Sequence, residues 1–209
     1  MNTVHALIVT GGPLPSCDFP LPEAQLVIVA DSGGDHAEEL GLEVDLMIGD
    51  FDSCSEEAIE KAKEIRRFPV DKDVTDLELA LAAAIEKNCS SVTIITSARG
   101  RFDHTFGNIV VASSNRWSEL EIDLFVDDSY VKIIRDKAKL TGNPSDKLTL
   151  LAMGGTAFGI TSNGLKWELD GLDLSAGSGL GISNEFIAHE VEISVAEGAV
   201  LSIQSFDNC

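Results

Sequence analysis

Residues 26–53 read LVIVADSGGDHAEELGLEVDLMIGDFDS. The run LVIVA (26–30) is short and wholly apolar, and turn residues bound it, so it reads as a buried strand. Asp31-Ser32-Gly33-Gly34-Asp35 follows as a tight turn that opens a helix, its paired glycines permitting close backbone approach. DLMI (45–48) is a second apolar run, closed by Gly49-Asp50-Phe51-Asp52-Ser53. Working outward, VHALIVT (4–10), VTIIT (92–96) and EIDLFV (121–126) are further strand candidates. Between them lie the amphipathic stretches SEEAIEKAKEIRR (55–67) and TDLELALAAAIEKN (75–88). Thr75 and Glu78 form a capping box, and Leu77, Leu81, Ala84 and Ile85 make one apolar stripe. Strands separated by helices predict an α/β unit with a mostly parallel, buried sheet.

From about residue 128 helical periodicity disappears. KLTLLAM (147–153), AFGITS (157–162), LKWEL (165–169), HEVEISV (189–195) and AVLSIQ (199–204) read as short strands among Gly, Asn, Asp and Ser clusters. Closely spaced short strands predict a small β-sandwich or barrel. The expected organisation is therefore an α/β domain over residues 1–127 followed by a β-sandwich over 128–209.

Composition narrows the function classes. The 35 acidic and 15 basic residues give a net charge of −20, which repels phosphate backbones and argues against nucleic-acid binding. No run approaches the ~18 apolar residues of a membrane helix. The N-terminal MNTVHALIVTGG lacks the basic start of a secretory signal, so a cytoplasmic protein is expected. Cys17, Cys54, Cys89 and Cys209 are scattered, without the clustered spacing of a disulfide framework or zinc site.

The charge is unevenly placed. Asp50 and Asp52 follow one strand, while Asp71, Asp73 and Asp76 run into the capped helix. In an extended segment residues two apart share a side, so each D-x-D pair would gather two carboxylates. Such pairs need a cation or a proton, and hard oxygen ligands beside phosphate suit Mg²⁺. The alternative is that these are turn and capping aspartates. Arg99-Gly100-Arg101-Phe102-Asp103-His104 is a basic loop in an acidic chain, and guanidinium groups there can grip phosphate oxygens. Asp103 can equally cap the helix that follows. There is no G-x-x-x-x-G-K-[ST] motif, so phosphate handling falls to metal-bound carboxylates and arginines. In the C-terminal half, Trp167 can stack on a flat cationic ring through its π-face, and Ser183 and Asn184 can hydrogen-bond ring nitrogens. On spacing alone Trp167 reads as sandwich core.

Taken together, residues 30–53, VDKDVTDLELAL (70–81), RGRFDHTFGNI (99–109), SNGLKWEL (162–169) and GISNEF (181–186) resemble the thiamine pyrophosphokinase family. That resemblance implies an α/β catalytic domain, a small β-domain and Mg²⁺-dependent transfer of the diphosphate of ATP to the hydroxyethyl group of thiamine, releasing AMP. It implies that Asp50, Asp52, Asp71 and Asp73 hold Mg²⁺, that Asp76 joins them in the catalytic region, and that Asp31, Gly33, Arg101, Asp103 and His104 meet ATP. It further implies a homodimer with the thiamine site at the subunit interface, built from Trp167, Ser183 and Asn184, the tryptophan coming from the partner chain. Relatives often have D-G-G-A-N where this chain has Asp31-Ser32-Gly33-Gly34-Asp35, and a negative Asp35 argues against phosphate contact there. Three alternatives are a pyrophosphokinase for a hydroxymethyl pterin, against which the Trp167 and GISNEF segments speak, a non-catalytic nucleotide- or thiamine-binding sensor, against which the acidic set speaks, and a purely structural acidic module, against which the arginine loop speaks.

Overall fold

The structure, a computed structural model, describes residues 3–15, 20–52 and 54–205; Ser53, Cys17 and Cys209 therefore lie outside the described residues. These fall into two compact units, one formed by the chain up to Val111 with Glu119–Asp127, the other by Ala112–Ser118 and the chain from Asp128. The expected α/β fold followed by a β-sandwich is what they form.

The first unit contains β1 (Val4–Val9), β2 (Leu26–Ala30), α1 (Gly33–Glu39), β3 (Leu46–Gly49), α2 (Glu56–Lys61) and β4 (Glu64–Arg67). It continues with α3 (Asp76–Glu86), β5 (Cys89–Thr96), α4 (Phe102–Ser113) and β6 (Glu121–Val126). Its strands run in the order β6-β5-β1-β2-β3-β4, every pairing parallel. Both faces of the sheet are covered, as parallel sheets require. Leu7, Val9, Val29, Met47 and Ile95 join Ala37 of α1 and Ala58 of α2 in one core. The alternate residues Ile8, Ile28, Ile48 and Ile94 are also buried, and α3 packs on the strands that carry them. The capping box is present: Thr75 Oγ1 accepts from Glu78 N (3.2 Å) and Glu78 Oε2 accepts from Thr75 N (2.9 Å).

One stretch departs from expectation. The helix expected across 55–67 stops at Lys61, because Ala62 is extended (φ −73°, ψ 134°). Lys63 N then donates to Val44 O (3.1 Å) and Glu64 N to Asp45 O (3.0 Å), and Glu64–Arg67 becomes an edge strand on β3. Hydrogen bonds to a distant strand outweigh the local helical pattern.

The second unit holds β7 (Ser129–Ile134), β8 (Lys137–Thr141), β9 (Lys147–Ala152), β10 (Ala157–Asn163), β11 (Asp170–Leu174), β12 (Asn184–Glu185), β13 (Glu190–Ser194) and β14 (Val200–Ser205). Antiparallel strands β12-β9-β14-β7 and β11-β10-β13-β8 enclose one core that includes Leu148, Leu150, Ile160, Phe186, Val191 and Val200. The strand expected at 165–169 is instead a loop. Glu168 Oε1 accepts from Gly164 N (2.7 Å) and Leu165 N (3.1 Å), Ser162 Oγ donates to Glu168 Oε2 (2.5 Å), and the next strand starts at Asp170. A left-handed Gly164 (φ 99°) makes this turn possible.

Candidate active site

The strand order places a topological switch between β1 and β5: the chain leaves β1 toward β2 and later returns to its other side. Open α/β sheets bind ligands at the carboxyl ends of strands at such a point. There the first unit has a cleft of about 750 Å³, lined by the ends of β1, β2, β3 and β5 and the starts of α3 and α4. Two glycines let the backbone converge. A Cβ on Gly33 would lie 2.3 Å from Val9 O, so only glycine lets the start of α1 sit on β1. A Cβ on Gly49 would lie 3.1 Å from Asp31 Cα. Gly33 is thus a packing residue and does not line the cleft, while Asp31 and Ser32 do.

Asp31, Asp50 and Asp52 each offer a carboxylate oxygen within 4.8 Å of the others. The route to this cluster is not the extended geometry that the D-x-D spacing suggests. Phe51 is left-handed (φ 64°) and buried, and Asp52 N donates to Asp50 Oδ1 (3.0 Å), so a turn brings the pair together. Asp31 is also left-handed (φ 52°), with its N–H on Ile48 O (2.8 Å). Asp71 and Asp73 are exposed in bends and stand outside this cluster.

Asp76, at the first position of α3, lines the cleft beside Lys72, whose Nζ lies 3.2 Å from Asp76 Oδ1. Burial pushes the Asp76 carboxyl above the usual carboxylate range; Lys72 opposes the rise, and the charges of Asp31 and Asp50 add to it. Burial, reinforced by Asp35 and Asp31, likewise raises the Cys54 thiol to about 11. In both cases burial is the larger cause, and the neighbouring carboxylates add to it. Asp35 itself points away, accepting from Ser55 Oγ (2.5 Å) at the cap of α2.

The basic loop after β5 lines the cleft with Arg99, Arg101, Asp103 and His104. Arg101 and Asp103 form an exposed two-bond pair, Nε to Oδ1 at 3.2 Å and a terminal NH₂ to Oδ2 at 2.6 Å. His104 is exposed. A residue that sequence reasoning missed holds this loop: buried Asp127 accepts from Ser97 Oγ and Ala98 N, both at 2.8 Å, and lies 3.7 Å from Arg99 Nε. Its signal was Asp127-Asp128 directly after the apolar run 121–126.

In the second unit Trp167 is 54% exposed, so it is not the core residue its spacing suggests. Lys166 Nζ lies 4.6 Å from the ring centroid. Asn184 is buried, with its carboxamide bonded to both sides of Trp167's backbone: Oδ1 accepts from Trp167 N (3.1 Å) and Nδ2 donates to Trp167 O (2.8 Å). Ser183 is exposed and left-handed (φ 60°), its N–H bonded to Thr149 Oγ1 (3.1 Å).

Fold and cleft define an α/β protein whose cleft gathers three carboxylates beside two loop arginines, followed by a β-sandwich that presents an exposed tryptophan. Known proteins narrow this. Residues 20–124 match the family description "Thiamin pyrophosphokinase, catalytic domain", and residues 136–200 match "Thiamin pyrophosphokinase, vitamin B1 binding domain". A thiamine pyrophosphokinase of Bacillus subtilis is 30% identical over 216 residues, covering 99% of this chain and 100% of the relative. A crystal structure of the thiamine pyrophosphokinase from that organism superposes with a TM-score of 0.82 at 27% identity, over 97% of this chain and 99% of that one. A thiamin pyrophosphokinase family protein from Enterococcus faecalis gives 0.81 at 26% identity, over 99% of this chain and 100% of that one. The chain belongs to the thiamine pyrophosphokinase family, enzymes whose known activity is transfer of diphosphate from ATP to thiamine.

Proposed function

We propose that the acidic cleft binds Mg²⁺–ATP and directs attack of the thiamine hydroxyl on the β-phosphorus, in line with departing AMP. The observation that carries this reading is the convergence of Asp31, Asp50 and Asp52 at the ends of β2 and β3. Their donor set suits the ion. Oxygens around Mg²⁺ at about 2.1 Å stand roughly 3–4.2 Å apart, a modest contraction from the 4.8 Å limit within which these atoms lie. All are hard carboxylate oxygens whose mutual repulsion a divalent cation relieves. Asp31, Asp50 and Asp52 would hold it, with Asp71 and Asp73 in reserve as exposed carboxylates of the neighbouring loop. When bound, the ion neutralises phosphate oxygens.

The remaining work is positioning, which dominates phosphoryl-transfer chemistry. Lys72 offers an ammonium inside the cleft, and its side chain is 12% exposed. Arg99 and Arg101 can exchange Asp127 and Asp103 for phosphate oxygens, while Asp127 keeps the loop in place. His104 stands at the same mouth of the cleft. No residue need form a covalent bond. Trp167, with Ser183 and Asn184 nearby, is the proposed thiamine site, supplied by a second copy of the chain in a homodimer. Exposed Phe102, Phe106 and Val110 along α4, and exposed Leu180, Ile182 and Ile187 in the second unit, support such a partner. No helix among the described residues is long and apolar enough to cross a membrane; a cytoplasmic placement is part of the proposal.

Phosphorus NMR of the purified protein with ATP, Mg²⁺ and thiamine tests this directly. AMP and thiamine diphosphate should appear together and cease on chelation of the metal. ADP with thiamine monophosphate would overturn attack at the β-phosphorus.

A further inference from the structure

We infer that Asn184 acts on the acceptor substrate through Trp167, as a positioning residue that fixes the indole with one face covered and the other open. This rests on the reading above that Trp167 meets thiamine. A carboxamide has two acceptor sites and two N–H donors. In Asn184, Oδ1 takes both Trp167 N (3.1 Å) and Glu185 N (2.8 Å), and Nδ2 gives one donor to Trp167 O (2.8 Å). Three of its four bonding positions are therefore committed to backbone, and the residue is 5% exposed. That leaves a single N–H, on a side chain with almost no surface open to a ligand.

The neighbouring residue completes the arrangement. Glu185 Oε2 accepts from Lys166 Nζ (2.8 Å), and its other oxygen accepts from Lys147 Nζ (2.5 Å). Lys166 is thereby held 4.6 Å from the Trp167 centroid and covers one face of the ring. Asn184 and Glu185 constitute β12, whose register against β9 pairs Asn184 with Leu148 and Glu185 with Lys147. One two-residue strand thus sets the height of the tryptophan through its first residue and the covered face through its second. A flat heterocyclic cation has the opposite face left to stack upon.

The test is a double-mutant cycle on the full-length protein, read in two ways. In the first, Asn184→Ala should raise KM for thiamine about tenfold, with kcat and KM for ATP unchanged. In a Trp167→Ala background the same substitution should add nothing. Multiplying effects would overturn the inference, because they would mean separate contacts with the substrate. In the second, protein labelled with 5-fluorotryptophan gives resonances for Trp117 and Trp167, assigned with Trp167→Phe. Without any thiamine, Asn184→Ala should shift and broaden the Trp167 signal and leave Trp117 alone, and Asn184→Asp, which keeps the acceptor oxygen, should restore part of the order. An unmoved Trp167 signal would overturn the clamp. If Trp167→Ala itself leaves KM for thiamine untouched, the substrate reading at Trp167 fails, and the ligand-free spectrum still judges the clamp.

Discussion

The acidic cleft of the first unit and the Trp167 loop of the second treat polar groups in opposite ways. In the cleft, backbone geometry forces like charges together: left-handed Asp31 and Phe51, with Gly33 and Gly49 beneath them, bring three carboxylates within 4.8 Å. In the loop, each polar group meets its complement. Glu168 takes two backbone N–H groups, Asn184 clasps Trp167 on both sides, and Glu185 pairs with two lysines. The cleft concentrates like charges, whereas the loop pairs its charges internally. On the proposed reading, repulsion in the first is the cost of affinity for a cation and its polyanion, and the bonds in the second hold an exposed aromatic ring in place.

The largest effect should come from breaking the cleft's charge cluster. Asp50→Asn should lower turnover about a thousandfold, roughly 4 kcal/mol of transition-state stabilisation. The same substitution should leave the melting temperature of the metal-free protein unchanged or higher, since it removes one of the opposed charges. Steady-state kinetics and calorimetry in chelator check both halves. A large loss of stability together with activity would make Asp50 a structural carboxylate and erase the contrast with the loop.

Next in size is the backbone beneath the cleft. Gly33→Ala places a methyl 2.3 Å from Val9 O, where the obstacle is main chain and cannot rotate away. It should destabilise the protein by about 3 kcal/mol, at the upper end of overpacking costs, as read from denaturant midpoints. Gly177→Ala, at a glycine of the second unit with φ 82° and nothing within 4 Å of the added carbon, should cost about 1 kcal/mol or less through backbone conformation alone. Equal losses would show that close packing is no more a property of the cleft than of the loop region.

These residues also show how far sequence goes. Apolar runs and the Thr75–Glu78 capping box are local signals, and they located five of the six parallel strands and α3 correctly. The helix break at Ala62 was invisible because it depends on Val44 and Asp45, which lead into β3. The strands Ser129–Ile134 and Lys137–Thr141, which lie in different sheets, escaped notice because lysines set between apolar residues resemble a polar loop when read along the chain. In the cleft, the grouping of Asp50 with Asp52 was legible but its cause was not, since a left-handed Phe51 cannot be read from composition. Asp127 carried only a local acidic signal, and its role depends on the proximity of Ser97 and Ala98, about thirty residues away in the chain.

The smallest expected effect separates the two regions by the sign of their response to acid. Burial raises the Asp76 carboxyl, so the folded protein takes up that proton before the unfolded chain does. Lowering the pH toward the ordinary aspartate value of about 3.9 therefore relieves a penalty in the cleft. Hydrogen bonds from Lys147 and Lys166 lower the Glu185 carboxyl, so here the unfolded chain is protonated first. That contribution is present in full above the ordinary glutamate value of about 4.3 and fades below it. In metal-free protein, Asp76→Asn should be more stable than the native chain at pH 7, and the gap should close as the pH approaches 4. Glu185→Gln should be less stable at pH 7, with a gap that closes only below about 4.3. Melting curves of the three proteins from pH 7 to 3 in chelator decide it. If both gaps have the same sign at pH 7, the cleft holds no opposed charge at Asp76, and its difference from the loop is one of geometry alone.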